Sequence, residues 1–176
     1  MTYPAVFAVS NLNGTNGFRL SGSIASEYSG GSVASAGDIN GDGFDDLIIG
    51  AAGGGPNTSS TGAAYVVFGK AGGFAPNLDL SSLNGANGVE FNAFMFQESG
   101  VSVASAGDVN GDGYDDVIVG AFAADPNGNL SGASYVIFGK GSGFGASIDV
   151  ASLDGTDGFK LNGATAEDRS GVSVAS

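Results

Sequence analysis

Short apolar runs separated by glycine-rich polar stretches recur along the chain and predict β-strands joined by tight turns. Residues 47–51 form an unbroken apolar run, which is typical of a central strand covered on both faces. Val89 and Phe91 instead flank Glu90, as expected of an outer strand with one solvated face. The pattern predicts four strands in a first unit, at residues 31–36, 47–51, 63–68 and 88–92, and four in a second, at residues 101–106, 117–121, 133–138 and 158–162.

The four-strand pattern occurs twice because the sequence itself is duplicated. The stretch that begins at Ser32 returns almost unchanged at Ser102, and equivalent residues such as Tyr65 and Tyr135 lie 70 positions apart. Fragments of a third copy lie at both ends, where residues 170–176 repeat residues 99–105 and residues 12–17 repeat residues 83–88, each at an offset of 71.

Four short antiparallel strands in a repeat of this length are typical of a β-propeller blade. The sequence therefore predicts an all-β fold with two complete blades and partial blades at both ends. We divide it into the outer strand of a preceding blade (1–28, with its strand at 17–20), two blades (29–98 and 99–169) and the inner strand of a following blade (170–176). A blade cannot bury both of its faces alone. We therefore expect either a window from a longer chain or copies that associate through exposed blade faces.

Composition supports this fold and excludes several others. The 33 glycines among 176 residues disfavour long helices, while glycine does not recur at every third position as in collagen. The regular apolar runs argue against disorder. The sequence has no cysteine and no transmembrane run, and residues 1–20 lack the features of a signal peptide.

The charge is strongly negative and concentrated in two loops. The formal net charge is −13, with only five lysines and arginines, so a nucleic acid or an anionic membrane surface is not expected as a partner. Like charges packed into a short loop repel one another, and a bound cation is the simplest way to make the loop compact. Eight of the 18 acidic residues lie in these loops: Asp38, Asp42, Asp45, Asp46, Asp108, Asp112, Asp115 and Asp116.

Each loop has the pattern Asp-x-Asn-x-Asp-Gly-aromatic-x-Asp, which suits a hard cation such as Ca²⁺. Side chains at positions 1, 3 and 5 can direct oxygens at one centre, the glycine at position 6 permits a sharp turn, position 7 offers its backbone carbonyl, and position 9 adds a carboxylate. The predicted ligands of two Ca²⁺ sites are Asp38, Asn40, Asp42, Phe44 (carbonyl) and Asp46, and Asp108, Asn110, Asp112, Tyr114 (carbonyl) and Asp116.

Alternatives to this interpretation differ in strength. An EF-hand would place an acidic residue at position 12 and continue as a helix, but that position is Ile49 or Val119 within an apolar run. Zinc is disfavoured because the chain has no His and no Cys, and Mg²⁺ rarely takes an all-protein cage. An Asx-rich turn without metal remains an alternative. Asp45 and Asp115, at position 8, receive no role.

The two loops and the strands around them resemble the FG-GAP repeat of the integrin α-subunit β-propeller and its bacterial relatives. The resemblance implies blades of a seven-bladed ring, the ligand sets given above, and Ca²⁺ loops on the face opposite the one that binds partners. The Phe-Gly of the repeat name is replaced here by Ser29-Gly30, Ser99-Gly100 and Ser170-Gly171. Gly-Ala-Pro is replaced by residues 50–52 and 120–122, and the segments 77–88 and 147–158 lengthen the unit.

The favoured function is a non-catalytic extracellular or cell-surface adhesion module that binds a protein or glycan. Variable stretches at 53–61 and 123–129 occupy equivalent places and suit contact loops. The cytosol contains too little calcium to fill sites of extracellular type, with Kd on the order of 10⁻⁴–10⁻³ M. The alternatives are a structural protein that assembles through its blades and an accessory propeller of a secreted enzyme. Catalysis would need the remaining acids, namely Glu27, Glu90, Glu98, Glu167 or Asp168.

Overall fold

The computed structural model describes residues 8–53, 62–94 and 101–175. These residues form β-strands and three single 3₁₀ turns, at Val9–Asn11, Leu80–Ser82 and Val150–Ser152. None of the described helices is long and apolar enough to cross a membrane. The strands are β1 (Arg19–Ser21), β2 (Ser29–Gly37), β3 (Asp46–Ala51), β4 (Gly62–Val67), β5 (Asn77–Asp79), β6 (Gly88–Phe94), β7 (Val101–Gly107), β8 (Asp116–Ala121), β9 (Ala133–Ile137), β10 (Ser147–Asp149) and β11 (Gly158–Asn162).

Two antiparallel four-stranded sheets confirm the predicted blades. In the first, β2, β3, β4 and β6 lie side by side in chain order, and in the second β7, β8, β9 and β11 do the same. Equivalent residues face each other across equivalent strands, with Ile49 opposite Tyr65 in one blade and Val119 opposite Tyr135 in the other. The apolar runs therefore become the middle strands, as their pattern indicates.

Two short strands pair in parallel with the outer strand of the preceding blade, a feature that the sequence pattern does not predict. β10 pairs with β6 and extends the first blade to five strands, and β5 pairs with β1 in the same way. Each of these three-residue strands ends where an aspartate, Asp79 or Asp149, accepts a hydrogen bond from the backbone of the following 3₁₀ turn. With three residues and a single apolar side chain, such a strand leaves no periodic signal.

The main core lies between the two blades. Ile48, Val66 and Phe91 of the first blade and Val103 and Val119 of the second belong to one buried cluster. A second cluster, which includes Ile49, Tyr65 and Leu80, lies on the other face of the first blade. Since each blade contributes one face to a shared core, the packing follows the expected behaviour of repeat units that bury surface only against neighbours.

Residues 170–175 lie against β7, in the place that the inner strand of a further blade would take. The Val174 N–H donates to Ser102 Oγ at 2.7 Å, just as the Val103 N–H donates to Ser32 Oγ at 3.1 Å. Residues 170–175 nevertheless form a turn and bends with one isolated bridge at Ser170. The assignment of this segment to a following blade stays a prediction.

Candidate metal centre

The first acidic loop joins β2 to β3 and is organised by the carboxylate of Asp38. One oxygen of Asp38 accepts hydrogen bonds from the backbone N–H groups of Gly41 (2.8 Å) and Asp42 (3.0 Å), and the other accepts from Gly43 (2.8 Å). Gly41 and Gly43 have φ of +74° and +88°, a region that glycine enters without a Cβ penalty. The loop therefore curls around its first acidic side chain.

Asn40 and Asp42 continue this inward arrangement. Asn40 Oδ1 accepts from the Asp42 N–H at 2.9 Å, while Asn40 Nδ2 donates to Asp42 Oδ2 at 3.1 Å. The other oxygen of Asp42 accepts from the Phe44 N–H at 3.0 Å. The side chains at positions 1, 3 and 5 are thus linked by hydrogen bonds within one short loop.

Asp46 fixes the loop to the body of the blade. Its side chain is buried, and its two oxygens accept hydrogen bonds from the backbone N–H groups of Ile39 (3.1 Å) and Gly69 (2.8 Å). Burial raises the pKa of Asp46 to about 6, against the opposing effect of these two hydrogen bonds, and the carboxylates of Asp42 and Asp38 raise it further. A bound cation would relieve the repulsion between these three carboxylates.

The second loop, between β7 and β8, repeats this geometry. Asp108 accepts from the N–H groups of residues 111, 112 and 113 at 2.8, 3.1 and 3.0 Å. Asn110 and Asp112 form the same pair of contacts as Asn40 and Asp42. Asp116 is buried, accepts from the Val109 and Gly139 N–H groups at 2.9 Å each, and has a pKa raised chiefly by burial.

The loops hold the donor types for a cation but keep them occupied with backbone contacts. Across residues 8–53, 62–94 and 101–175, no three acidic side chains converge as a preformed metal-binding group. These contacts match the Asx-rich turn that the sequence left as an alternative. Asp38 Oδ1 already accepts two N–H groups, but the other carboxylate oxygens of the first loop accept one hydrogen bond each and keep a second lone pair, so the donor set fits a hard, oxygen-seeking ion. The ten predicted ligands therefore stay a prediction.

Of the acids considered for catalysis, Glu27, Glu167 and Asp168 have structural partners. Glu27 is buried and accepts from the backbone N–H groups of Ser23 and Ile24, and Asp168 accepts from the Thr165 N–H at 2.7 Å. Glu167 lies 3.6 Å from the guanidinium of Arg169. Glu90 lines a cavity of about 270 Å³ with Tyr65 and Ser23. Glu98 lies outside the described residues.

The structure also gives Asp115 a place that sequence reasoning missed. Its carboxylate accepts a hydrogen bond at 2.9 Å from the backbone N–H of Asp38, in the other loop. The only signal in the sequence was the presence of an aspartate at position 8 of both loops. A contact between two repeats cannot be read from one repeat alone.

Comparison with known proteins agrees with the architecture of the blades and loops. The family model described as FG-GAP repeat matches residues 29–67 and 99–137, which include both acidic loops. The chain is 36% identical to integrin alpha-3 of Cricetulus griseus over 125 residues, 66% of this chain and 11% of that protein. It is 32% identical to integrin alpha-4 of Xenopus laevis over 147 residues, 82% of this chain and 13% of that protein.

The chain is also similar to an integrin α subunit from a nematode. Integrin alpha pat-2 of Caenorhabditis elegans is 35% identical over 165 residues, 83% of this chain and 13% of that protein. The chain therefore spans little more than a tenth of the length of these relatives. The two matched segments coincide with the two hairpins that carry the acidic loops and with the strands that follow them. The chain carries two FG-GAP repeats and belongs to the FG-GAP repeat family.

Proposed function

We propose that the chain is a calcium-stabilised segment of a β-propeller that serves as a non-catalytic extracellular module for adhesion or for binding a protein or glycan. The observation that carries the proposal is the duplicated acidic loop, which has the same hydrogen-bonded geometry in both FG-GAP repeats. The likeness to integrin α subunits supports an adhesive role and a place at the cell surface.

Calcium is the cation that the donor set favours. Each loop offers three carboxylates, one amide oxygen and a backbone carbonyl, all hard oxygen ligands, and Ca²⁺ accepts six to eight of them with flexible geometry. The ion would be held by Asp38, Asn40, Asp42, Asp46 and the Phe44 carbonyl, and a second by their equivalents 70 residues later. Its role is to neutralise the loops and fasten the hairpins, not to take part in a reaction.

We assign contact with a partner to the two variable loops at residues 53–61 and 123–129. Residues 123–129 form one of them, where Asp125 accepts a hydrogen bond from the Leu130 N–H and Asn127 Nδ2 donates to the Gly163 carbonyl at 2.8 Å. These contacts fix the loop and leave Pro126, Asn127 and Asn129 exposed. Residues 54–61 of the equivalent loop lie outside the described residues. A glycan or protein array probed with the full chain tests this part of the proposal, and an absence of binding would contradict it.

The calcium part is tested by the melting temperature of the full chain in Ca²⁺ and in EDTA. At ten times Kd, one site adds about 1.4 kcal/mol to the free energy of unfolding. We expect Ca²⁺ to raise the melting temperature, and Asp42→Ala and Asp112→Ala each to remove part of that rise. Asp45→Ala, at the non-ligand position 8, is the control and should keep it. The proposal would be contradicted if the melting temperature of the unmodified chain and of every variant were the same in Ca²⁺ and in EDTA.

A second candidate, assembly through blade faces, is favoured by one observation. Val33 and Leu47 on the free face of the first blade are 66% and 40% exposed, and with Leu20 they line an apolar groove. Their equivalents in the second blade, Val103 and Val117, are 5% and 1% exposed because the first blade covers them. Light scattering over a range of concentrations tests assembly, and Val33→Asp should lower any oligomeric mass. A monomer at every concentration would contradict assembly.

A further inference from the structure

The two acidic loops have nearly the same sequence but different surroundings. Ile39 at position 2 of the first loop is 1% exposed, whereas Val109 at the same position of the second is 51% exposed. Asp38 at position 1 is half-buried, while its equivalent Asp108 is exposed. The first loop is therefore covered, and the second is open.

The cover over the first loop is the second loop itself. Asp115 Oδ2 accepts from the Asp38 N–H at 2.9 Å, and the Asp115 N–H donates to the Asp38 carbonyl at 3.3 Å. These two hydrogen bonds close a ring between residue 1 of one loop and residue 8 of the next. Space at this contact is tight, since a Cβ built on Gly37 would lie 2.2 Å from Asp115 Oδ2.

Residues beside Asp115 extend the contact. The Tyr114 ring lies over the first loop, where a Cβ built on Gly41 would be 2.3 Å from its Cε1 atom. The Lys140 N–H, in the segment after β9, donates to the Ile39 carbonyl at 2.8 Å. Tyr114 is accordingly half-buried, whereas its equivalent Phe44 is exposed. One side of the first loop is thus fixed by the second repeat at residues 38, 39 and 41.

We propose that Asp115 is a positioning residue that couples the two loops, so that the first loop binds its cation more tightly when the second is filled. The inference rests on the proposed calcium sites. Asp115 stands between Tyr114 and Asp116, two predicted ligands of the second site, and it holds the backbone of Asp38, the first ligand of the other site. An ion in the second loop fixes the position of Asp115 and so reduces the ordering that the first loop must undergo on binding.

Coupling of this kind is reciprocal, and the different surroundings of the two loops make the sites unequal. The covered first loop binds more tightly, because Asp38 is already held, and the open second loop binds more weakly. Filling either loop raises the affinity of the other by the same factor, on the order of fivefold or more. Asp45 occupies position 8 of the first loop and is exposed, so the equivalent contact toward an earlier repeat is left open in the described part of the chain.

Calorimetric titration of the full chain with Ca²⁺ tests this coupling. Asp112→Ala disables the second site and leaves the first to be measured alone, and Asp42→Ala does the reverse. We expect the first site to bind more weakly in Asp112→Ala than in the unmodified chain. In an Asp115→Ala background, Asp112→Ala should lose this effect of about fivefold on the first site, whereas in an Asp115→Asn background it should keep it, since Asn removes the same charge but keeps an oxygen for the Asp38 N–H. Circular dichroism checks that each variant is folded.

Three results would count against these claims in different ways. No calcium binding by the unmodified chain would overturn the calcium proposal and this inference with it. Calcium binding that Asp115→Ala and Asp115→Asn weaken equally would overturn the coupling alone, because charge and not the contact would then matter. Amide exchange gives a readout without metal: the Asp38 N–H should exchange more slowly than the Asp108 N–H, and Asp115→Ala should remove the difference. Equal exchange in the unmodified chain would also overturn the coupling.

Discussion

Val33 and Val103 occupy the same position in successive blades, yet Val33 is 66% exposed and Val103 only 5%. The difference arises because the first blade lies over the face of the second that carries Val103. The free energy that this one side chain gains from the neighbouring blade can therefore be measured with a single pair of substitutions.

Val103→Ala should lower the free energy of unfolding by about 2 kcal/mol, since it removes buried apolar surface from the core between the blades. Val33→Ala, which deletes the same atoms from an exposed site, should change it by no more than about 0.5 kcal/mol. Urea denaturation of the full chain measures both. Equal costs would mean that the face with Val33 is also covered in solution.

Asp46→Ala should destabilise the chain even without metal. The substitution leaves the N–H groups of Ile39 and Gly69 without their acceptor, at a cost of about 2 kcal/mol or more. Denaturation in EDTA isolates this effect from calcium binding. The neighbouring change Asp45→Ala, at an exposed side chain, should cost no more than about 0.5 kcal/mol. If Asp46→Ala lowered the free energy of unfolding as little as Asp45→Ala, the hydrogen bonds of Asp46 would contribute little to stability.

Gly37→Ala and Gly107→Ala form a matched pair that reports on the contact between repeats. Their φ values are +69° and +64°, so both substitutions should carry a similar backbone strain of about 1–2 kcal/mol. Only at Gly37 would the new Cβ meet the carboxylate of Asp115, while at Gly107 it would meet nothing within 4 Å. Gly37→Ala should therefore cost about 1–3 kcal/mol more in thermal or urea unfolding. Equal costs would place Asp115 away from Gly37.

Glu90 should make stability depend on pH in a definite direction. Burial raises its pKa above the ordinary value of 4.5, and the carboxylate of Glu27 raises it further. The folded chain then holds a proton that the unfolded chain releases, so this contribution is full below pH 4.5 and is lost as pH rises through the raised pKa.

Urea titrations in EDTA across this range compare the unmodified chain with two variants. Glu90→Gln should flatten the fall in the free energy of unfolding. Glu167→Gln removes the same charge from an exposed side chain beside Arg169 and should leave the fall unchanged. Identical profiles for all three proteins would show that Glu90 carries no such dependence.

Much of the fold could be predicted because the strands of each repeat follow from local patterns of apolar and polar residues. The apolar runs around Ile48 and Ile118 became middle strands, and the segment at 158–162 has the predicted bounds. Other strand ends differ by one or two residues, since β2 begins at Ser29 and β6 runs to Phe94. The ligand roles of the loop side chains stay a prediction, because these side chains hold backbone N–H groups of their own loops.

What escaped prediction depends on contacts between repeats. Asp115 looks identical to Asp45 in sequence, and only the presence of a neighbouring loop distinguishes them. β5 and β10 form because the edges of β1 and β6 offer unpaired backbone groups, which a three-residue strand can satisfy. A strand of three residues is too short to give a recognisable pattern in the sequence. Neither feature is a property of one repeat.

The pairing of β10 with β6 also sets an order of events during synthesis of the chain. The first blade offers its outer edge as soon as β6 has emerged, but the strand that covers this edge, Ser147–Asp149, is made more than fifty residues later. Until then the edge is free to pair with another chain, a recognised aggregation hazard. The first blade is thus closed only when part of the second has been translated, and a ribosome that stalls between the two would leave an open edge.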